Sequence, residues 1–281
     1  MSTIASTDKK LLPLALLSAL AFVGIVVVNG LANALPLNGA NTGVLSDEIP
    51  NLFVPTGLTF SIWGLIYLLL AGYVVALLKE ARRGGSSAWT GPDALLFLTN
   101  AAANIGWIFA WHWRMVGLAM ALMLVILGSL IGLERRNQKK LDSGGALYPA
   151  APGGQDRGQA LRRFFLTVPV RVYLGWISVA TIANATALLV KTGWDGLGMD
   201  PRFWTVLAII AGFGLALGFS LWKRQVAAPL VVVWAYAGIV VKRLQTDAPY
   251  STPVWVAALA AALLILLSFL PGRLSCPFKK K

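Results

Sequence analysis

Trp176, Ala180 and Asn184 recur at four-residue steps in the apolar run YLGWISVATIANATALLV, residues 173–190, with Tyr173 and Thr181 close by. Asn100, Asn104, Trp107 and Trp111 recur at steps of three and four in a second run, and Phe60, Trp63 and Tyr67 in a third. Residues so spaced share one face of a helix. The chemistry open to such faces is non-covalent recognition. Indole and phenol walls with a few carboxamides suit a planar, mostly apolar molecule whose polar edge needs orienting. The same Asn and Thr side chains could instead only stitch neighbouring helices together, for about 0.6 kcal/mol each. Either way the stripes turn away from lipid, because an amide left without a partner there costs a few kcal/mol.

Catalytic patterns are missing. The sequence contains no HExxH, no GxSxG, no carboxylate pair within an apolar run and no phosphate-cradling loop. Nothing nominates a nucleophile, a metal ligand set or a required cofactor. His112, the only histidine, stands in the short stretch AWHWRM and reads as a solvated turn residue rather than a metal or haem-iron ligand. Arg114 beside it could meet a ligand carboxylate.

The elements that carry these stripes are membrane spans. Of the 281 residues 57% are hydrophobic and 12% charged, about half the charge of a soluble domain. The apolar residues come in blocks of about twenty, the length of a helix that crosses a bilayer core. Short segments alternating with period two, the mark of a membrane β-barrel, are not seen. The fold class is therefore an all-α polytopic transmembrane bundle of eight helices, with spans near 10–31, 58–79, 92–111, 115–133, 168–190, 203–222, 226–242 and 253–270. The seventh is the shortest and has Pro229 near its start. No Asp, Glu, Lys or Arg lies at mid-span, which counts against proton-driven transport.

The formal charge of +13 reads as topogenic charge, with no domain large enough to grip nucleic acid. Placing the N-terminus in the cytoplasm puts eighteen of the 24 Lys and Arg residues in inner segments and five in outer ones, with Arg171 at an inner helix end. Both termini are then cytoplasmic, in the plasma membrane if the cell is bacterial. Residues 134–166, rich in charge, Gly and Pro, read as a mobile cytoplasmic loop. The first outer loop, NALPLNGANTGVLSDEIPNLFVPTG, is long for a simple connection and such loops are often functional. Trp89, Trp113, Trp194, Trp204 and Trp255 lie near helix ends and read as the interfacial aromatic belt. In the sixth span, Gly214-xxx-Gly218 and Ala208-xxx-Gly212 have the spacing that lets helices approach closely. The single Cys276 excludes an intramolecular disulfide.

The stripes also carry a family resemblance. Tyr173-Leu174-x-Trp176-x-Ser178-x-Ala180-Thr181-x-x-Asn184 resembles the last helix of the translocator protein / tryptophan-rich sensory protein (TspO/MBR) family, once called peripheral-type benzodiazepine receptors. Asn104-x-x-Trp107 resembles its third helix, and Trp63-x-x-x-Tyr67-Leu68-Leu69 its second. The matches fall in family order over about residues 10–190. The family's Trp-x-Pro-Pro appears here as Phe53-Val54-Pro55-Thr56, and the proline expected before the tyrosine of the fifth helix is Val172.

The resemblance implies a five-helix core, residues 1–190, with a pocket opening under the first outer loop. Three further helices and a basic tail, residues 191–281, follow it. Carried over by position, the pocket involves Phe53, Pro55, Trp63, Asn104, Trp107, Trp176, Ala180 and Asn184; the stripes add Tyr67, Trp111 and Tyr173. Members of the family bind porphyrins such as protoporphyrin and haem, and some form dimers. The expected function is thus an integral membrane receptor or carrier of a planar hydrophobic ligand, with a porphyrin or other tetrapyrrole as candidate. The partners expected are that small molecule, the lipid bilayer and a second copy of the chain. Alternatives are a small-molecule permease using all eight helices, or an intramembrane enzyme or assembly partner.

Overall fold

The computed structural model describes residues 11–35, 37–83, 88–143, 157–222 and 225–270. The N-terminal lysines, the basic tail and Cys276 lie outside them. Among the described residues the fold is all-α, without a strand. Eight apolar helices succeed one another: α1 Leu11–Ala34, α2 Ile62–Arg83, α3 Gly91–His112, α4 Val116–Asp142, α5 Arg157–Lys191, α6 Pro201–Leu217, α7 Ala227–Thr246 and α8 Thr252–Leu267. The first seven are long and apolar enough to cross a membrane. The short span is α8, with 16 residues and a length of about 24 Å. The seventh, expected to be shortest, runs to 20 residues. Leu20, Leu68 and Leu95 are each about two-thirds exposed, the apolar surface expected where helices face lipid. The chain is a multi-pass integral membrane protein.

Two compact units form. Unit 1 comprises Met1–Asn41 and Trp63–Leu174; unit 2 comprises Thr42–Ile62 and Gly175–Lys281. The connection between α1 and α2 is divided at residue 41, and its part from Thr42 to Ile62 belongs to the unit of the later helices.

Unit 1 contains α1 to α4 and the first half of α5. The segment expected to be a loop, 134–166, is helical at both ends, since α4 continues to Asp142 and α5 begins at Arg157; residues 144–156 lie outside the described ones. Ion pairs explain the extension. Glu134 takes Arg171 at 3.1 Å. Glu80, buried at 1% exposure, accepts Arg162 through Nε at 2.6 Å and Nη2 at 2.5 Å. Asp93 receives Arg136 and Lys140. Part of the charge that looked like a solvated loop in the sequence is neutralised by carboxylates on neighbouring helices. Within α5, Pro169 supplies no backbone donor. Asn137 donates to the Leu166 carbonyl at 3.0 Å, next to the carbonyl that the proline leaves without its helical partner.

His112 corrects its reading. It is the last residue of α3 and is fully buried. Its Nδ1 lies 2.8 Å from the Ile108 carbonyl, and its own carbonyl accepts from Asn38 Nδ2 at 2.9 Å. Trp89 likewise is buried, at 1% exposure, and is no interfacial residue.

Unit 2 holds the second half of α5 and α6 to α8. Gly175 and Gly212 make its close approaches. A Cβ on Gly175 would stand 2.7 Å from the Ala228 carbonyl oxygen on α7, and Gly212 faces the Tyr236 hydroxyl, which donates to the Ile209 carbonyl at 2.6 Å. The expected Gly214-xxx-Gly218 contact is not made: both glycines face open space. The α6 helix ends in a π-helical turn, Gly218–Trp222, and Ser220 there shares a 2.8 Å hydrogen bond with Ser268.

Candidate ligand-binding site

The predicted site residues fall into both units. In unit 1 the stripes of α2, α3 and α5 meet. Trp63 stacks on Tyr67, with ring centroids 5.6 Å apart, and meets Tyr173 edge-on at 5.7 Å. Asn104 joins three helices: its Nδ2 donates to the Tyr173 hydroxyl at 2.7 Å, and its Oδ1 accepts from Asn29 Nδ2 at 2.9 Å. Asn29 on α1 was not singled out from the sequence, although any Asn within a lipid-facing run needs a partner. Trp107 and Trp111 stack on each other at 5.8 Å, both buried.

At this centre Asn29, Asn104 and Tyr173 form a continuous chain of buried hydrogen bonds. Asn104→Leu is expected to destabilise the protein by about 1–2 kcal/mol, because it strands the buried Tyr173 hydroxyl. A lowered thermal unfolding midpoint in mild detergent checks this, and Tyr173→Phe should recover part of the loss in the double variant.

In unit 2, Phe60 meets Trp176 edge-on at 5.8 Å. Asn184 donates back to the Ala180 carbonyl at 2.9 Å. Phe53 and Pro55 are buried.

A cavity of about 540 Å³ lies beneath the first outer loop, entirely within unit 2. None of the predicted residues lines it, but their neighbours do: Val54, between Phe53 and Pro55, and Thr186, two residues beyond Asn184. Its other walls come from Trp194, Trp204 and the end of α7. The volume falls within the range of small-molecule sites.

The loop that roofs the cavity is pinned at several points. Asn51 donates through Nδ2 to the Thr186 hydroxyl at 3.0 Å and accepts the Phe53 N–H at 2.8 Å. The Thr56 N–H reaches the Gly238 carbonyl at 3.2 Å, and Trp234 Nε1 donates to the Thr59 carbonyl at 2.9 Å. Lys242 pairs with Asp47. Gly238 is needed there because a Cβ would stand 3.0 Å from the Cβ atoms of both Pro55 and Thr59.

The opposite wall is the connection between α5 and α6. Gly193, Gly196, Leu197 and Gly198 all have positive φ, between 56° and 72°. For Leu197, with no glycine freedom, this conformation is strained. The Asp195 carboxylate holds it by accepting the Leu197 N–H at 2.9 Å. The result places Trp194 against Trp204, with centroids 4.8 Å apart and planes at 62°. Trp204 is anchored through Nε1 to the Gly196 carbonyl at 2.9 Å. At the start of α6, hydrogen bonds from the Arg202 side chain and backbone hold Asp200 below the usual carboxylate range. Arg202 also lies over the Tyr250 ring, 4.5 Å from its centroid.

These are half-exposed aromatic surfaces beside aliphatic wall, with hydroxyl groups, Lys242 and Arg243, and the carboxylates of Asp47, Asp195 and Asp247 among the lining. The arrangement can hold an apolar body and orient a polar edge. It offers no nucleophile paired with a base, and no group of three or more His, Cys, Asp or Glu among the described residues could hold a metal. A second cleft, of about 340 Å³ in unit 1, is bordered by Gly72, Ala76 and Phe165. Glu80 and Arg162 on its wall already bind each other, which leaves little to orient a ligand.

No curated protein matches the chain, and no solved structure does. A family model described as TSPO-like protein matches residues 15–270. The match does not stop at residue 190: it takes in the last three helices and every segment that lines the cavity. With a match over more than nine-tenths of its length, the chain belongs to the TSPO-like protein family.

Proposed function

We propose that this integral membrane protein is a receptor or carrier for a planar, apolar ligand, with a porphyrin or other tetrapyrrole as first candidate. The ligand occupies the cavity beneath the first outer loop. The observation that carries this reading is the cavity itself: it is large enough for a drug-sized molecule, roofed by a pinned loop and walled by the Trp194 and Trp204 indoles. Membership of the TSPO-like family supports the ligand class. With both termini cytoplasmic, as the Lys and Arg distribution favours, the roof faces outward and the ligand enters from that side.

Under this reading the network of Asn29, Trp63, Tyr67, Asn104 and Tyr173 has a supporting role, holding α1, α2, α3 and α5 of unit 1 in register. Phe53 and Pro55 flank the cavity-lining Val54, and Trp176, Ala180 and Asn184 lie on the helix that carries Thr186 to the wall.

Titration of the purified full chain with protoporphyrin in mild detergent tests this, read by the shift of the porphyrin absorption band. Saturable binding near one ligand per chain is expected. Replacing both Trp194 and Trp204 by alanine should weaken it at least about tenfold, since each buried aromatic contributes on the order of 1 kcal/mol or more. Unchanged binding in that variant would refute the assignment of the cavity.

A further inference from the structure

Arg243 sits in the last turn of α7 and lines the cavity. It is buried, at 6% exposure. Its guanidinium donates through Nη1 to Asp247 Oδ2 at 2.8 Å. Its Nε is fully buried and meets no hydrogen-bond acceptor among the described residues. A buried guanidinium with an unmet donor is costly, and a group of that kind at a cavity wall marks the place of an acceptor that the protein does not supply.

The charges around it define what that acceptor is. Three acids line the cavity: Asp47, Asp195 and Asp247. Each already has donors. Asp47 pairs with Lys242. Asp195 accepts the Leu197 N–H. Asp247 accepts, besides Arg243, the hydroxyls of Thr246 at 2.9 Å and Ser251 at 3.0 Å. What remains unsatisfied is a donor of positive charge, the Arg243 guanidinium. A guanidinium fork is matched in shape by a carboxylate and binds it by two parallel hydrogen bonds.

We propose that Arg243 is the anion-recognition residue of this cavity, and that the ligand is an amphipathic organic carboxylate. Its carboxylate meets the Nε side of Arg243, while its apolar body lies against Trp194 and Trp204. Lys242, already paired with Asp47, takes no part. The inference rests on the cavity being the ligand site and specifies the ligand's chemistry further: an apolar molecule without an anionic group leaves Arg243 as it is and gains nothing from it.

The test compares protoporphyrin with its dimethyl ester, which keeps the macrocycle and loses both charges, on the full chain in mild detergent. The wild-type protein is expected to bind the free acid at least tenfold more tightly than the ester. Arg243→Gln should abolish that preference by weakening the acid and leaving the ester unchanged. Asp247→Asn, which releases Nη1 from its pair, should move the other way and tighten the acid alone; this direction is one that damage to the fold cannot imitate. Equal affinities for acid and ester in the wild type, a preference that survives Arg243→Gln, or an Asp247→Asn variant that fails to tighten the acid would each overturn the proposal.

Failure of the tetrapyrrole reading is separable. If neither porphyrin binds, the same comparison is made with pyrenebutyrate and its methyl ester. A preference for the acid that depends on Arg243 sustains the carboxylate site with a different apolar body. No such preference refutes it.

Discussion

Asp93→Ala is expected to destabilise the protein by about 3–5 kcal/mol, the usual effect of removing one partner from a buried ion pair. The Asp93 side chain is 2% exposed and serves four donors. Arg136 Nε lies 2.5 Å from Oδ1, while Lys140 Nζ at 2.7 Å, the Thr90 N–H at 2.8 Å and the Thr90 hydroxyl at 2.6 Å share Oδ2. Two functions are lost together. The Thr90 N–H at the start of α3 loses its cap, worth about 1 kcal/mol. Lys140, with a side chain only 10% exposed, keeps its charge and loses the carboxylate it is hydrogen-bonded to. The second loss is the larger. Arg136, at 34% exposure, can turn to water or lipid headgroups. The check is the thermal unfolding midpoint in mild detergent. The double variant Asp93→Leu, Lys140→Met should regain much of the loss, because removing both charges of a buried pair is often nearly neutral. A single variant as stable as the wild type would show that the two helices are not joined there.

Gly238→Leu is expected to act on ligand affinity and little on stability. Helix propensity alone favours leucine over glycine by about 0.8–1 kcal/mol. Sterics oppose it: a Cβ would meet Pro55 and Thr59 at 3.0 Å, and the rest of the leucine has nowhere to go unless the loop lifts. Overpacking of this kind costs about 1–3 kcal/mol, so the net change in stability is small and unfavourable. The lifted segment is the one whose Thr56 N–H binds the Gly238 carbonyl and whose Thr59 carbonyl accepts from Trp234. Porphyrin affinity should fall at least tenfold while the unfolding midpoint moves little. Gly214→Ala is the control. It brings the same propensity gain into open space and should stabilise slightly without changing binding. Equal ligand affinity in Gly238→Leu and wild type would separate the loop from the site.

The spans were legible because lipid imposes a length and a composition that no other solvent does. The meeting of Trp63, Asn104 and Tyr173 was legible for a related reason: side chains that lipid cannot satisfy must find each other, and helical spacing tells which face they share. Where the same rule was read too simply it misled. The stretch RRNQKK looks like a loop because polarity and irregularity usually coincide. Here Arg136 and Lys140 are one turn apart on α4 and reach the same carboxylate, a fact set by Asp93 more than forty residues away. His112 looked like a turn residue because Trp113 and Arg114 do turn, and only the preceding carbonyl of Ile108 reveals that the helix still holds it.

The cavity was hidden for another reason. Its walls come from residues 46–54, 186–205 and 242–250, and no periodicity links segments assembled only by tertiary packing. Trp194 and Trp204 were assigned to the interfacial belt because they flank helix ends. Their pairing depends on the left-handed turn at Gly196, Leu197 and Gly198, which three glycines hint at but do not specify. The long outer loop was the one usable signal, and its placement over a pocket came from the family resemblance.

The most direct measurement is an experimental structure of the full chain with protoporphyrin bound. The account predicts the macrocycle beneath residues 46–54, against Trp194 and Trp204, with a propionate at Arg243. A macrocycle seated beside Trp63 and Tyr173 instead, or a cavity left empty at saturating ligand, would contradict it.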